Sequence, residues 1–458
     1  MQELVLQNFS SDKIGELSRE EPMWLRKYRE HSFKLFQKLP LEKSELFKNY
    51  ASAQGVQTDF DFTKETDAKI PEELRFVVED KPEFCIHQTN GNAEFRIPQE
   101  LKEKGVILEN IREAVNRDIV REYFQNRLLP SSEEKTVAFN NAFFNCGFFL
   151  YVPDNVEIGM PLRNSLVISA ENSSVISQNV IMLGVEAKLT LIEESYSSAK
   201  SLFSNVTEAL LDKGAKARVG GVQSFGRDTV SFLNRKALLQ NDSSITWSTG
   251  FFGGSFTLSK LENMMHGNGS STQDFEAVFG SSSQRFDITS NLTHIGKATS
   301  GRVMAKGIFK DSSKGLFKGM ISIMEKAKGA SAYLAEHAIL LSKDARCDAI
   351  PGLEIKTNDV KATHSASVAQ VSEEQLFYLM SRGFTENEAK RLIVLGFFEP
   401  LIRLMPLNEI KIRIKSLSEL KWHNKPLTQL SETASRIWEE EIVEEEKRDI
   451  FEGHYKYR

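Results

Sequence analysis

The stretch Leu353-Glu-Ile-Lys-Thr-Asn-Asp-Val-Lys-Ala-Thr-His-Ser-Ala-Ser-Val368 decides how this chain is read. From Val360 onward it alternates. Val360, Ala362, His364, Ala366 and Val368 share one parity, and Lys361, Thr363, Ser365 and Ser367 share the other. A period of two is that of a β-strand, whose successive side chains point to opposite faces. His364 is then a single imidazole in a file of small apolar side chains. Upstream, Ala345, Cys347 and Ala349 share a face, with Arg346 and Asp348 opposite. A thiol between alanines repeats the arrangement.

The strand character spreads outward from this stretch. Between about Thr136 and Val371 no long amphipathic helix is evident. Short runs such as Ser165-Leu-Val-Ile, Leu189-Thr-Leu-Ile and Arg285-Phe-Asp-Ile-Thr recur instead. Turn-forming clusters separate them: Glu171-Asn-Ser-Ser, Asn241-Asp-Ser-Ser, Gly267-Asn-Gly-Ser-Ser, Gly280-Ser-Ser-Ser and Asp311-Ser-Ser-Lys-Gly. Gly, Asn, Asp and Ser supply the backbone conformations that turns need. So many strands build a sandwich, a barrel or a parallel solenoid. The clusters show no fixed period. Strands apolar on one parity and polar on the other favour a long body with a packed interior and a solvated exterior.

Both ends read as helical. Pro22 opens a run with Trp24, Tyr28, His31 and Leu35 at helical spacing, which stops near Pro40. A second run is expected from Pro98 through Leu108, Ile111, Val115 and Val120 to Phe124. Near the C-terminus, Ser372-Glu-Glu-Gln375 and Thr385-Glu-Asn-Glu388 both have the form of a capping box. They predict two short helices in a hairpin, with Gly383 as the stop between them. The boundaries are 1–135 for an N-terminal helical and mixed region, 136–371 for the β core and 372–430 for a C-terminal helical region. Residues 431–458 form a charged tail. It carries Glu439-Glu-Glu and Glu444-Glu-Glu around Ile442 and Val443, as a solvated segment or as a docking helix using Ile437, Trp438, Ile442 and Val443.

Composition excludes several classes. The chain has 458 residues, 40% hydrophobic and 26% charged, with net charge −5. There is no overall basic field for nucleic acid. No apolar run approaches the roughly 18 residues of a membrane helix, and no secretory signal is visible. Three cysteines, Cys85, Cys146 and Cys347, are too few for a disulfide framework, so a reducing cytoplasm is expected. The phosphate loop, His-Glu-x-x-His, Gly-x-Ser-x-Gly and Cys-x-x-Cys motifs are all missing. Cys85 and Cys146 read as structural, Cys146 being enclosed by aromatics in Phe143-Phe-Asn-Cys-Gly-Phe-Phe.

Imidazole and thiolate are both ligands for iron. Parity alone leaves two readings of Cys347 and His364: metal ligands, or a core thiol and a hydrogen-bonded core histidine. In a parallel solenoid, residues one coil apart lie about 4.8 Å apart across the ladder. With the two separated by about one coil of chain, they could be neighbours on adjacent rungs.

Several segments resemble the SufB/SufD family of the SUF iron–sulfur assembly system, over most of the chain. They are Glu21-Pro-Met-Trp-Leu-Arg, Asn145-Cys-Gly-Phe-Phe-Leu-Tyr-Val-Pro153, the opening stretch, and Glu374-Gln-Leu-Phe-Tyr-Leu-Met-Ser-Arg-Gly383. The resemblance implies a mainly β fold, a right-handed parallel β-helix core with helical N-terminal and C-terminal regions. It implies a non-catalytic scaffold subunit that pairs through its core with a SufB-like chain. It also implies that a SufC-like ABC ATPase docks on the C-terminal helices, at Leu376, Phe377, Leu379, Leu392 and Phe397. His364 and Cys347 become candidate ligands for transient iron or a nascent Fe–S cluster at the dimer interface, with no stably bound cofactor. His364-Ser-Ala-Ser is similar to SufD, whereas Cys347 falls where SufB carries its scaffold cysteine. The partner is therefore a SufB-like chain or, in a SufB-like homodimer, a second copy. A reading from another class is a β-helix enzyme acting on polysaccharides.

Overall fold

The computed structural model describes residues 8–40, 60, 69–79 and 81–439. Its centre is a parallel β-solenoid of about eight turns. The strands are β1 (Cys85–Thr89), β2 (Asn92–Arg96), β3 (Ile107–Asn110), β4 (Phe148–Val152), β5 (Leu162–Ile168), β6 (Ser173–Leu183), β7 (Lys188–Ser197), β8 (Ser201–Leu211), β9 (Lys216–Ser224) and β10 (Thr229–Leu239). They continue as β11 (Ser244–Phe251), β12 (Phe256–Met265), β13 (Ser271–Gly280), β14 (Arg285–His294), β15 (Ser300–Phe309), β16 (Lys314–Ile323), β17 (Ala330–Leu340), β18 (Arg346–Ile355) and β19 (Val360–Gln370). From β5 onward, successive strands alternate between two sheets, odd-numbered strands in one and even-numbered in the other. One coil is therefore two strands and two turns. Ser201 pairs with Thr229 and Ser271 with Ser300 across one coil, so a rung repeats after about 29 residues.

Every turn cluster named from the sequence holds a residue with positive φ: Asn172, Asp242, Gly269, Ser282 and Asp311. Short polar side chains tolerate this left-handed conformation. The turns also stack. Asn241 accepts from the backbone N–H of Asn268, and Asn268 from that of Lys297, each at 2.8 Å. The spacing between turns drifts with loop length, which hid the repeat in the sequence.

The interior is packed, and it is not apolar throughout. Leu162, Leu191, Val219 and Trp247 fill one file, and Phe286, Phe309 and Phe317 from both sheets pack in a separate cluster. Between them runs a buried polar line. Gln88 donates to Asn164, Asn164 to Glu193, and Arg235 to Thr249 and Ser259. Further along, Ser290 donates to Glu276, which lies beside Asp274.

The helical regions cover the outside of both sheets. Helices α1 (Ser11–Leu17) and α2 (Met23–Lys38) precede α3 (Phe76–Glu79). The second expected run is not one helix. It divides into α4 (Gln99–Glu103), strand β3, α5 (Ile111–Ala114) and α6 (Asp118–Gln125). Gly105, at φ +83°, stops α4, and Leu108 then pairs antiparallel with Leu150 of β4. Helix α7 (Lys135–Phe143), buried along its whole length, seats α2 on the even-numbered sheet. A buried Arg127–Glu208 ion pair and a Lys260–Glu134 pair at 3.0 Å fix that interface.

On the other sheet lie α9 (Glu386–Leu404) and α10 (Asn408–Trp422), and α8 (Glu373–Ser381) packs against α9. The Thr385–Glu388 capping box forms in full. At the first box Ser372 accepts from the Gln375 N–H, but no returning bond from the Gln375 side chain forms. Leu407 and Ile410 press against Gly220, where an added Cβ would sit 2.6 Å from either side chain. Lys306 Nζ donates to the Phe397 carbonyl at 2.6 Å and lies over its ring. Residues 430–439 continue helically. Ile437 is buried and Trp438 exposed, while Ile442 and Val443 lie outside the described residues.

Candidate metal and partner interface at the open end

The solenoid ends on β18 and β19, the terminal strands of the two sheets. Each therefore has one ladder edge unpaired within its sheet, a template for another chain. The inward face is uncovered as well. Leu353, Ile355 and Val368 are 36%, 43% and 39% exposed, although the residues one coil below, Ile321, Ile323 and Ala338, are buried.

His364 closes a register file that runs Trp247, Asp274, Val303, Leu334, His364. It lies on the inward parity, as the alternation indicated, yet it is exposed because no further coil covers it. Cys347 closes a file on the opposite sheet, Thr257, Phe286, Gly315, Cys347. The expected adjacency is therefore corrected. The two residues lie on opposite sheets of the last coil, about half a coil of chain apart, and not on neighbouring rungs of one ladder. They also join different packing groups. Cys347 clusters with Ala338, Phe309 and Phe317, whereas the Leu334 beneath His364 clusters with Ile321 and Val303. Leu334 and Ala338 are four residues apart along β17, or about 13 Å.

Cys347 is 7% exposed, and its Sγ donates to the Asp348 carbonyl at 3.7 Å. Burial, with Asp348 and Glu336 nearby, pushes the thiol well above its ordinary range and keeps it protonated. Metal binding there requires loss of that proton. Glu336 is the residue that sequence reading missed. It sits on the inward parity of β17, one rung below Ala366, with Oε2 unpartnered. Burial raises its carboxyl to about 7 against a hydrogen bond from the Ile350 backbone. The alternation of Ala332, Leu334, Glu336 and Ala338 was available as a signal. Among the described residues, no three His, Cys, Asp or Glu side chains converge as a metal cage. Within one chain, Cys347, Glu336 and His364 are separate donors around one uncovered end.

The helical hairpin carries a second exposed surface. Phe377 is 75% exposed and Leu392 is 39%, while Leu376 and Leu379 are half-buried. Phe397 is partly buried over Lys306 and anchors the hairpin more than it presents a face. Tyr378, Met380 and Phe384 add exposed apolar surface beyond the expected docking residues. Cys85 and Cys146 are fully buried, as expected, and burial pushes the Cys146 thiol up to about 12.

Comparison with known proteins agrees with this architecture. Residues 166–397 match the SUF system FeS cluster assembly, SufBD core domain, and residues 5–163 match the SufBD protein N-terminal region. The iron-sulfur cluster assembly protein SufD of Bacillus subtilis is 30% identical over 419 residues, covering 88% of this chain and 95% of the relative. The chain belongs to the SufBD family. An iron-sulfur cluster assembly SufBD family protein of Staphylococcus epidermidis is 28% identical, covering 86% of this chain and 89% of its own length. One from Staphylococcus aureus is 27% identical, over 85% and 87%. This SufBD chain is thus a component of the SUF system of iron–sulfur assembly. Among its described residues, no helix is long and apolar enough to cross a membrane.

Proposed function

We propose that this chain is a non-catalytic, cytoplasmic scaffold subunit whose open solenoid end joins a SufB-like chain and there helps hold iron or a nascent cluster. The observation that carries the reading is the uncovered last coil, with two unpaired strand edges and inward files ending in His364 and Cys347. A partner solenoid placed there would bury Leu353, Ile355 and Val368 and add its own donors to His364. Imidazole suits iron, and a displaced proton would leave Cys347 as a thiolate ligand. Hydrolysis falls to a SufC-like ATPase docked on the exposed hairpin face, with Phe377 and Leu392 at its centre. Two residues, Val371 and Ser372, separate β19 from α8, so a pull on the hairpin reaches the open end through the backbone.

The test is anaerobic cluster reconstitution of the co-expressed complex. His364→Ala should cut cluster yield severely while the complex stays assembled, and an unchanged yield rejects the ligand role. Phe377→Asp with Leu392→Asp should abolish ATPase co-purification without disturbing the solenoid. Because Cys347 and His364 share one chain, a homodimer could also supply both ligand types. A complex lacking any SufB-like chain, yet still reconstituting a cluster, would select that arrangement.

A further inference from the structure

The outer face of the odd-numbered sheet is only half covered by α9 and α10. The other half, at the beginnings of the strands, forms two contiguous hollows that share Ser244 and Thr246. Two register files floor them. One runs Lys188, Lys216, Ser244, Ser271, Ser300, Ser331, Lys361. The other runs Thr190, Arg218, Thr246, Gln273, Arg302, Tyr333, Thr363. Across seven strands neither file contains a carboxylate, in a chain whose net charge is −5. The acid lining the hollows is Glu157 at one edge, neutralised by Lys188 at 2.7 Å. Lys216, Arg218, Arg302 and Lys361 are exposed, and of these Lys216 also acts on Glu157 electrostatically.

We infer that this strip is a docking surface for an acidic polypeptide segment laid along the solenoid axis. Rungs about 4.8 Å apart make the strip about 29 Å long, the length of roughly nine extended residues. The cations are grouped. Lys188, Lys216 and Arg218 stand at one end and Arg302 and Lys361 at the other, with two uncharged hydroxyl- and amide-bearing rungs between. Arg218 and Arg302 are three rungs apart, about 14 Å. Two clusters of carboxylates separated by a few neutral residues match that spacing. Exposed guanidinium groups receive carboxylates in paired hydrogen bonds, and the Ser and Thr hydroxyls can bond a peptide backbone. Nucleic acid fits less well. A duplex carries a charge every ~1.7 Å, far denser than these few cations, and the chain's overall charge repels it.

The test measures anisotropy of a labelled synthetic peptide with the sequence Trp438-Glu-Glu-Glu-Ile-Val-Glu-Glu-Glu-Lys447, two acidic triplets around a neutral pair. It is titrated with the full chain and with a chain ending at Trp438, at low and at physiological salt. Binding is expected to weaken at least tenfold in the combined variant Lys216→Glu, Arg218→Glu, Arg302→Glu. The variant Lys102→Glu, Arg382→Glu, which changes exposed cations elsewhere, should bind as the parent does. Circular dichroism confirms that both variants fold. Binding by the shortened chain alone supports the proposal and identifies the chain's own acidic run as an occupant. No binding to either chain overturns it. Equal losses in the two variants, or tighter binding of a labelled single-stranded RNA at the same strip, also overturn it.

Discussion

The two ends of the solenoid are built on opposite rules. At the N-terminal end the sheets stop by reversing direction. Strand β2 pairs antiparallel with β1, and β3 pairs antiparallel with β4. The terminal strand β2 is charged. Glu94 bridges Lys81 at 2.7 Å and Arg96 at 2.8 Å, and those hydrogen bonds hold its carboxyl down at about 2. Such an edge resists further pairing. At the C-terminal end the last strands continue the parallel register, and their inward faces carry Leu353, Ile355, Val368 and His364. One end is closed against association, and the other is left as half of a core. Repeat architectures need capping units where they meet water, so an uncapped end marks a contact surface.

The largest test of this contrast is a core deletion near the closed end. Phe148→Ala, beneath the antiparallel cap, should cost about 3–5 kcal/mol in denaturant unfolding. The matching deletion at the open end, Leu353→Ala, should cost under about 1 kcal/mol in the isolated chain, because little of the side chain's contact is made there. Equal losses would erase the distinction.

The next largest effect is on association. Val368→Asp should leave unfolding nearly unchanged and weaken partner binding at least a hundredfold by analytical ultracentrifugation, since it buries an unpaired charge.

The ends also differ in pH dependence. Glu336 titrates near 7 when folded, above the ordinary carboxylate value of 4.5, so the folded state holds its proton longer. Its contribution favours folding below about pH 4.5 and is lost as pH rises through 7, a penalty of about 3 kcal/mol. Glu336→Gln should flatten urea-unfolding stability between pH 5 and 8. The residual slope reports Asp274 and Glu276, which burial also raises. Glu94 has the opposite sign. Its contribution is present above the ordinary carboxylate range and disappears as pH falls through about 2.

The smallest effect is at the closed edge. Glu94→Val should barely move the melting temperature but should increase light scattering, by converting a charged edge into an apolar one.

The open end was only partly legible beforehand. The alternation around His364 correctly gave a strand and its inward parity. It could not give exposure, because burial depends on whether another coil follows. Cys347 was correctly read as a thiol among small residues. Its separation from His364 was misjudged because coil length was unknown, and a step of 17 positions is about half a turn. Glu336 stood in plain alternation, but an acid on an inward parity looks like an error of register until the fold is seen. The basic strip was invisible, since Lys188 is brought beside Lys216 and Arg218 only by strand pairing across about 28 residues.

By itself, the sequence determined the local events: period-two strands, turns at the Asn, Asp, Ser and Gly clusters, capped helices at the C-terminus and the family. These depend on neighbours a few residues away, so a linear reading contains their causes. Tertiary structure alone decided which strands share a sheet, which residues end each file and which faces the helices cover. Those outcomes follow from rung registration between segments about 29 residues apart, where a shift of one position reverses every side chain.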